Sequence, residues 1–334
     1  MQLRSVCVLG AGSWGTALAH LIAGNGFEVT LWDKNPSRVR TLAKTGRNDR
    51  YLPGLALSQQ ILCEADLERA LGDKDVVLVA VPSHGFRACL EAVKPWLPRP
   101  ASLAWGTKGL DPASGRLLHQ VAQQVLGEGC RLAALSGPTF AREVMLGLPT
   151  AITVASPEET FSTAIAELLH NDFFRVYTSD DLLGVQLGGS VKNVLAIAAG
   201  VSDGMGFGAN ARAALITRGL AEMLRLGEAM GAKARTLMGL AGVGDLILTC
   251  TDDQSRNRRL GLGLGQGKAI GEIKTEIGQE IEGIVTARLI YQLARQRKVE
   301  MPIVEQVHAL LYEGVSAPEA VRSLLLRERK PEAV

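Results

Sequence analysis

Across the first half of the chain, short β-branched runs alternate with stretches of helical period, the pattern that βαβ units and a parallel sheet leave in a sequence. Ser5–Leu9 reads as a strand, a glycine turn and a helical stretch over Thr16–Ala23 follow, and Glu28–Trp32 resumes as strand. The run from Asp75 to Val81 is almost continuously apolar and is stopped by Pro82, as suits a central strand covered on both faces. Further strand candidates at Ser102–Trp105, Leu132–Leu135, Ala151–Ala155 and Phe174–Tyr177 bring the expected sheet to seven or eight strands. From about Asp180 the strand signals stop and helical patterns cover Leu182–Val201, Ala211–Met230, Ile284–Arg297, Ile303–Tyr312 and Pro318–Arg327. Within these, Ile303, Val307, Leu310 and Leu311 share one helix face behind Pro302, and Ser316 and Glu319 have capping-box spacing. The pattern predicts an α/β domain of Rossmann type, with a doubly wound, parallel-rich sheet, over residues 1–180. An all-α domain is expected over 181–334, with Arg327–Val334 polar enough to fray.

At 334 residues the chain exceeds the comfortable size of one hydrophobic core, in keeping with two domains. Its 47% hydrophobic and 21% charged residues exclude a disordered or fibrous chain. With 36 basic and 34 acidic residues, the formal charge of +2 gives no reason to expect nucleic acid or an anionic membrane as partner, so any basic site is local. Glycine is abundant at 37 residues while aromatics make up 4%, a balance that favours tight turns and backbone approach to phosphates over stacking surfaces. Cys7, Cys63, Cys89, Cys130 and Cys250 contain no CxxC-type pair, and His20, His84, His119, His170 and His308 lack ligand spacing. Neither a disulfide framework nor a metal site is expected. The apolar stretch after Arg4 is cut by Gly10, Gly12 and Gly15, so it reads as mature protein and not as a leader. No uninterrupted apolar run approaches the ~18–20 residues of a membrane span, which leaves a cytoplasmic protein with no integral membrane segment as the expectation.

Gly10-Ala-Gly12-Ser13-Trp14-Gly15 closes a strand and opens a helical run, the context in which GxGxxG signals dinucleotide binding. Gly10 permits the tight turn, Gly12 lets backbone approach a pyrophosphate, and Gly15 lets helix and strand pack closely. The helix N-terminus then offers N–H groups and a positive dipole end. In such sites an acid about 20 positions further on binds the ribose hydroxyls of NAD, and Asp33 lies near that place. Lys34 and Arg38 beside it suit the 2′-phosphate of NADP, so the local sequence supports both cofactors. The plain alternatives are a cap or turn role for Asp33 and a solvated charge at Lys34.

The helical half carries polar residues where a purely structural helix has no use for them. Lys192 and Asn193 sit among small and aliphatic neighbours, and burial there would favour the neutral amine and make Lys192 a base, unless it snorkels from a helix end. Trp105-Gly-Thr-Lys108-Gly directly follows a strand, at the edge where open α/β sheets bind ligands, so Lys108 is a second candidate cation or a surface turn residue. If both lysines face one substrate, each disfavours charge on the other. Ser136-Gly137-Pro-Thr139 offers N–H groups and hydroxyls at the same edge, or forms an ordinary βα turn. Asp245 and Thr249 fall four residues apart, on one face of a helix, where they could orient a substrate hydroxyl or the lysine. Ser255-Arg256-Asn257-Arg258-Arg259 concentrates arginines with hydroxyl and amide donors, chemistry suited to a phosphate dianion or to a solvated basic loop.

These blocks together resemble the bacterial NAD(P)-dependent sn-glycerol-3-phosphate dehydrogenase family. The resemblance spans nearly the whole chain and is carried by Gly10–Gly15, Val81-Pro-Ser, Gly106–Gly109, Ser136–Thr139, Gly184–Asn193, Asn210–Gly219 and Thr249–Arg259. It implies reversible hydride transfer between nicotinamide C4 and C2 of dihydroxyacetone phosphate or glycerol 3-phosphate, in supply of phospholipid synthesis. Lys192 would be the proton acceptor and donor, with Lys108, Asn193, Asp245 and Thr249 around the reacting carbon. It further implies Ser255, Arg256 and Asn257 on the substrate phosphate and Gly137 and Thr139 as substrate contacts. Ser13, Trp14, Lys34, Lys108, Ala141, Arg256, Glu280 and Glu282 match nucleotide-contact positions. A lysine-dependent hydroxyacid dehydrogenase and a non-catalytic dinucleotide-binding protein are the rival readings, and a homodimer is the expected assembly.

Overall fold

The two least interrupted apolar runs become the middle of a sheet in the computed structural model, which describes residues 1–328. β1 (Ser5–Leu9) and β4 (Val76–Val79) pair in parallel, Val6 opposite Val76, and every residue of both is buried. Between and after them run α1 (Ser13–Gly24), β2 (Glu28–Trp32), α2 (Pro36–Thr45), β3 (Ile61–Cys63), α3 (Leu67–Leu71), α4 (Ser83–Val93), β5 (Ser102–Trp105) and α5 (Leu118–Leu126). The α/β part is completed by β6 (Arg131–Ser136), α6 (Ala141–Met145), β7 (Thr150–Ala155), α7 (Glu159–Leu169) and β8 (Phe174–Ser179).

The eight strands form one sheet in the order β3-β2-β1-β4-β5-β6-β7-β8, parallel throughout except between β6 and β7. Strand order reverses at β1, which has β2 on one side and β4 on the other. Ligands of open α/β sheets bind outside the carboxyl ends of the strands at such a switch point. Val6, Val8, Leu18, Ile22, Leu78, Ile165 and Leu168 belong to one buried cluster that joins α1 and α7 to the sheet. β3 and the five-residue helices α3 and α6 are too short to carry a period, and the sequence pattern does not reveal them.

The chain divides into two compact units, the first Met1–Gln186 and the second from Leu187 onward. The division falls inside α8 (Leu182–Gly204). Behind it come α9 (Gly208–Met230), α10 (Ala234–Leu237), α11 (Asp245–Thr251), α12 (Arg256–Gly265), α13 (Ile270–Ile277), α14 (Glu282–Arg297), α15 (Pro302–Tyr312) and α16 (Ala317–Leu325). α8 is long and apolar enough to cross a membrane, with a mean hydropathy of 1.4, although Gln186, Ser190, Lys192 and Asn193 break its apolar run. Since 94% of that stretch is buried in the protein, it is a core helix. Ser316 and Glu319 form the capping box at the start of α16, and Glu222 of α9 accepts the Ile303 and Val304 N–H groups at the start of α15. Arg327 pairs with Glu300 at 3.3 Å, whereas residues 329–334, part of the tail expected to fray, lie outside the described residues.

Candidate functional site

In the first unit, the glycine motif sits at the switch point. Gly10 follows β1 with φ of +107°, and its N–H donates to the Trp32 carbonyl at 2.8 Å. A Cβ on Gly15 would overlap the Gly10 carbonyl oxygen, so the third glycine lets α1 start hard against the strand end. Gly12 is the N-cap and contributes no capping side chain, and Ser13 and Trp14 open the helix. The first-turn N–H groups, which no helix satisfies internally, therefore meet an uncapped and uncrowded end. That end fits the pyrophosphate of a dinucleotide. The Trp14 indole nitrogen is buried against Gly106, where a Cβ would collide with it.

Asp33 is buried, and its carboxylate is used within the protein. It accepts the Ala11 N–H at 2.9 Å, the Asn35 N–H at 2.9 Å and Arg38 Nη1 on both oxygens at 2.8 and 2.9 Å. The acceptor directions a ribose would need are thereby engaged, so Asp33 braces the glycine turn and holds Arg38. Arg38 in turn lies over the Tyr51 ring, 5.2 Å from its centroid, with Arg50 over the same ring at 5.6 Å. Lys34 is exposed beside them. Asn48 is a further brace: its amide donates to the Ala11 carbonyl at 3.1 Å and to Thr16 Oγ1 at 2.7 Å. It stands in an exposed Arg47–Arg50 run with no period, so no local signal marks it.

Further along the same sheet edge, Thr107 donates to the Val81 carbonyl at 2.7 Å and fixes the turn after β5. Lys108 Nζ lies 3.4 Å from the Gly137 carbonyl oxygen, which also accepts Thr139 Oγ1 at 3.2 Å. Lys108, Gly137 and Thr139 thus converge, and Ala141 begins α6 immediately beyond.

The second unit gathers another set. A π-helical turn, Leu240–Gly244, leads into α11, and a Cβ on Gly188 of α8 would lie 2.5 Å from the Ala241 carbonyl oxygen. One turn along, the same two helix faces bring Lys192 to Asp245, and the next turn of α11 adds Thr249. Lys192 Nζ pairs with Asp245 Oδ1 and donates to Thr249 Oγ1 at 2.8 Å, while Thr249 Oγ1 donates to the Asp245 carbonyl at 2.6 Å. Lys192 stands in the middle of α8 and is buried at 6% exposure, so it does not snorkel. The group facing it in this unit is a carboxylate, which favours the ammonium. Cys250 next to Thr249 has its thiol pushed up to about 12 by burial, and so stays protonated.

Asn257 Nδ2 donates to Asn193 Oδ1 at 2.9 Å, and its Oδ1 accepts the Gly283 N–H at 2.9 Å. Ser255 caps α12 by accepting the Arg258 N–H, and Arg256 is the first helical residue. Arg258, grouped in the sequence with the candidate phosphate donors, is buried with its guanidinium on Asp203, Asp253 and the Cys250 carbonyl. Burial and these acceptors remove it from the cluster open to a ligand. Glu282 opens α14, while Glu280 precedes it and is exposed.

The chain matches the family described as NAD-dependent glycerol-3-phosphate dehydrogenase, with the N-terminal model over residues 5–162 and the C-terminal model over residues 181–322. A glycerol-3-phosphate dehydrogenase (NAD(P)+) of Methylococcus capsulatus is 58% identical over 328 residues, covering 98% of this chain and 98% of that protein. One of the same name from Pseudoalteromonas translucida is 55% identical over 329 residues, again with 98% of each covered. Among solved structures, glycerol-3-phosphate dehydrogenase from Coxiella burnetii superposes with a TM-score of 0.94 at 47% identity, covering 97% of this chain and 99% of that one.

Proposed function

This chain belongs to the NAD-dependent glycerol-3-phosphate dehydrogenase family, and from that premise we propose that it reduces dihydroxyacetone phosphate to sn-glycerol 3-phosphate, reversibly, with Lys192 as the proton donor. The observation that carries the reading is the buried Lys192–Asp245–Thr249 set. A bound nicotinamide would supply the hydride to C2 of the carbonyl substrate. Lys192, as the ammonium, polarises the carbonyl oxygen and gives it a proton as the alcohol forms; the amine is then recharged from solvent. Thr249 fixes the direction of the amine, because its hydroxyl hydrogen is spent on the Asp245 carbonyl and its lone pair is left for Lys192. Oxidation of the alcohol requires the neutral amine. Lys192 thus serves as donor in carbonyl reduction and as acceptor in alcohol oxidation, and membership of the family supports a role in supplying glycerol 3-phosphate for phospholipids.

The substrate phosphate is assigned to the start of α12, where the helix dipole, the Arg256 charge and first-turn N–H groups beside Ser255 and Asn257 all favour a dianion. Asn193 is assigned to the substrate with Lys192, and Lys108, Gly137 and Thr139 of the first unit are assigned as further substrate contacts. The nucleotide is assigned to Gly10, Gly12, Ser13, Trp14, Gly15, Lys34, Lys108 and Ala141, with Arg256, Glu280 and Glu282 of the second unit as further contacts. Because the Asp33 carboxylate is engaged and its charge is matched by Arg38, Lys34 and Arg50 are the local charges left, and NADPH is the favoured cofactor. Five free cysteines suit the reducing cytoplasm, where we place the enzyme.

The test is the initial rate of dihydroxyacetone phosphate reduction with NADPH and NADH in parallel, in the wild type and in Lys192→Ala. We expect a higher kcat/KM with NADPH, and a fall in kcat of about 10³-fold or more in Lys192→Ala with nucleotide binding kept. A Lys192→Ala enzyme that turns over at the wild-type rate would remove the lysine from the chemistry. Turnover of unphosphorylated hydroxyacids only would transfer the protein to the hydroxyacid reading.

A further inference from the structure

The three arginines of Ser255-Arg256-Asn257-Arg258-Arg259 look equivalent in sequence, and the structure sets Arg258 apart. Arg258 is 7% exposed. Its Nε donates to the Cys250 carbonyl at 3.1 Å, its Nη2 to Asp203 Oδ2 at 2.6 Å, and its Nη1 pairs with Asp253. Those acceptors lie on three different pieces of the second unit: α11, the C-terminal part of α8, and the turn that joins α11 to α12. Its backbone adds further ties. The Arg258 N–H donates to Ser255 Oγ at 3.2 Å, and a Cβ on Gly200 of α8 would overlap the Arg258 carbonyl oxygen, so α12 rests on α8 at this residue. Asp203 is shared with Arg212 of α9 at 2.8 Å, which anchors the acceptor itself.

We propose that Arg258 is a positioning residue for phosphate recognition: its fork fixes the α11–α12 turn, and with it Ser255 and Arg256, relative to Lys192 on α8 and Thr249 on α11. This rests on the phosphate role given above to the start of α12. A planar guanidinium reaches three acceptors on separate elements at once, which a lysine amine on a flexible stem does not reproduce. Arg258 makes no contact with Lys192, Asp245 or the Thr249 side chain among its hydrogen bonds, so loosening the turn weakens the anchoring of the phosphate and leaves the proton donor in place.

The experiment compares wild type, Arg258→Lys, Asp253→Asn and Arg256→Ala as intact proteins, on dihydroxyacetone phosphate and on unphosphorylated dihydroxyacetone, with inorganic phosphate as a competing ligand. Arg258→Lys is expected to raise KM for dihydroxyacetone phosphate about tenfold and the inhibition constant of phosphate in parallel. Its kcat and its kcat/KM on dihydroxyacetone should stay within about twofold. The Asp253 side chain is 73% exposed, so Asp253→Asn leaves folding intact and should show the same selective rise at about two- to threefold, which keeps the test decisive if Arg258→Lys does not fold. Equal losses on both substrates, or an unchanged KM in both variants, would overturn the positioning role. Arg256→Ala separates the two claims: if it fails to discriminate the substrates, the phosphate assignment itself falls. If it discriminates while Arg258→Lys and Asp253→Asn do not, only the role of Arg258 falls.

Discussion

Gly10 and Gly12 of the first unit and the glycines between α8 and α12 of the second serve different physical ends, with Gly15 of the first unit siding with the latter. In the first, Gly10 takes a left-handed turn and Gly12 leaves a helix end open, so the missing side chain serves backbone conformation and access to a ligand. In the second, Gly200 and Gly261 sit inside α8 and α12 and Gly204 and Gly265 end them, and a Cβ on any of the four would overlap a carbonyl oxygen of the facing helix. There the missing side chain lets two backbones touch. That contact holds the first turn of α12 close to Lys192 and Asn193, so a costly residue for a helix interior is offset by the precision of a site. The same residue type therefore carries opposite expectations for the fold at Gly12 and at the α8–α12 contact.

The largest effect that could break this contrast is Gly261→Ala, whose added Cβ would meet the Ile197 carbonyl. Despite alanine's better helix propensity, it should destabilise the second unit by about 2 kcal/mol or more, read as a lower denaturant midpoint. Gly271→Ala in α13 is the matched control, since nothing lies within 4 Å of its Cβ position, and it should stabilise by about 0.5–1 kcal/mol. If both variants melt alike, helix contact is not what Gly261 provides. Gly12→Ala comes next: its Cβ also meets no protein atom within 4 Å, so the fold should be unchanged while the nucleotide Kd rises about tenfold, measured by calorimetric titration. A normal Kd would detach Gly12 from the pyrophosphate.

The smallest effect concerns two buried acids. Asp33 in the first unit is matched by Arg38, whereas burial of Glu222 in the second pushes its carboxyl up to about 7, against the pull of the two N–H groups it accepts. A raised folded-state value means that the contribution of Glu222 is fully present below the ordinary carboxyl range, about 4.5, and is lost as pH rises through about 7. Stability should fall by about 1 kcal/mol between about pH 6 and pH 8 from this group, and Glu222→Gln should flatten that part of the pH profile of urea unfolding. A profile unchanged by the substitution would mean that Glu222 titrates as an ordinary carboxyl.

Local pattern was enough wherever an element makes its own signal. β1, β2 and β4 follow from runs of β-branched residues, the glycine motif from its fixed spacing between strand and helix, and the start of α16 from a capping box. Lys192, Asp245 and Thr249 were visible as polar residues at helical spacing, but their mutual contact was not, because 53 residues separate Lys192 from Asp245. Asn48 and Arg258 illustrate the complementary case. Each lies in a charged, aperiodic run that reads as solvated surface, and each is buried by partners far away in the chain.

The sequence by itself determined the alternation of strands and helices, the all-helical second half and the residue types available for dinucleotide and phosphate chemistry, since period and turn chemistry act over a few residues. Tertiary structure alone decided which charges meet. It set a carboxylate beside Lys192, spent Asp33 on Arg38 and the glycine turn, and turned Arg258 from a candidate ligand into a brace. Burial and distance fix which form of a charged group prevails, and neither is a property of local sequence.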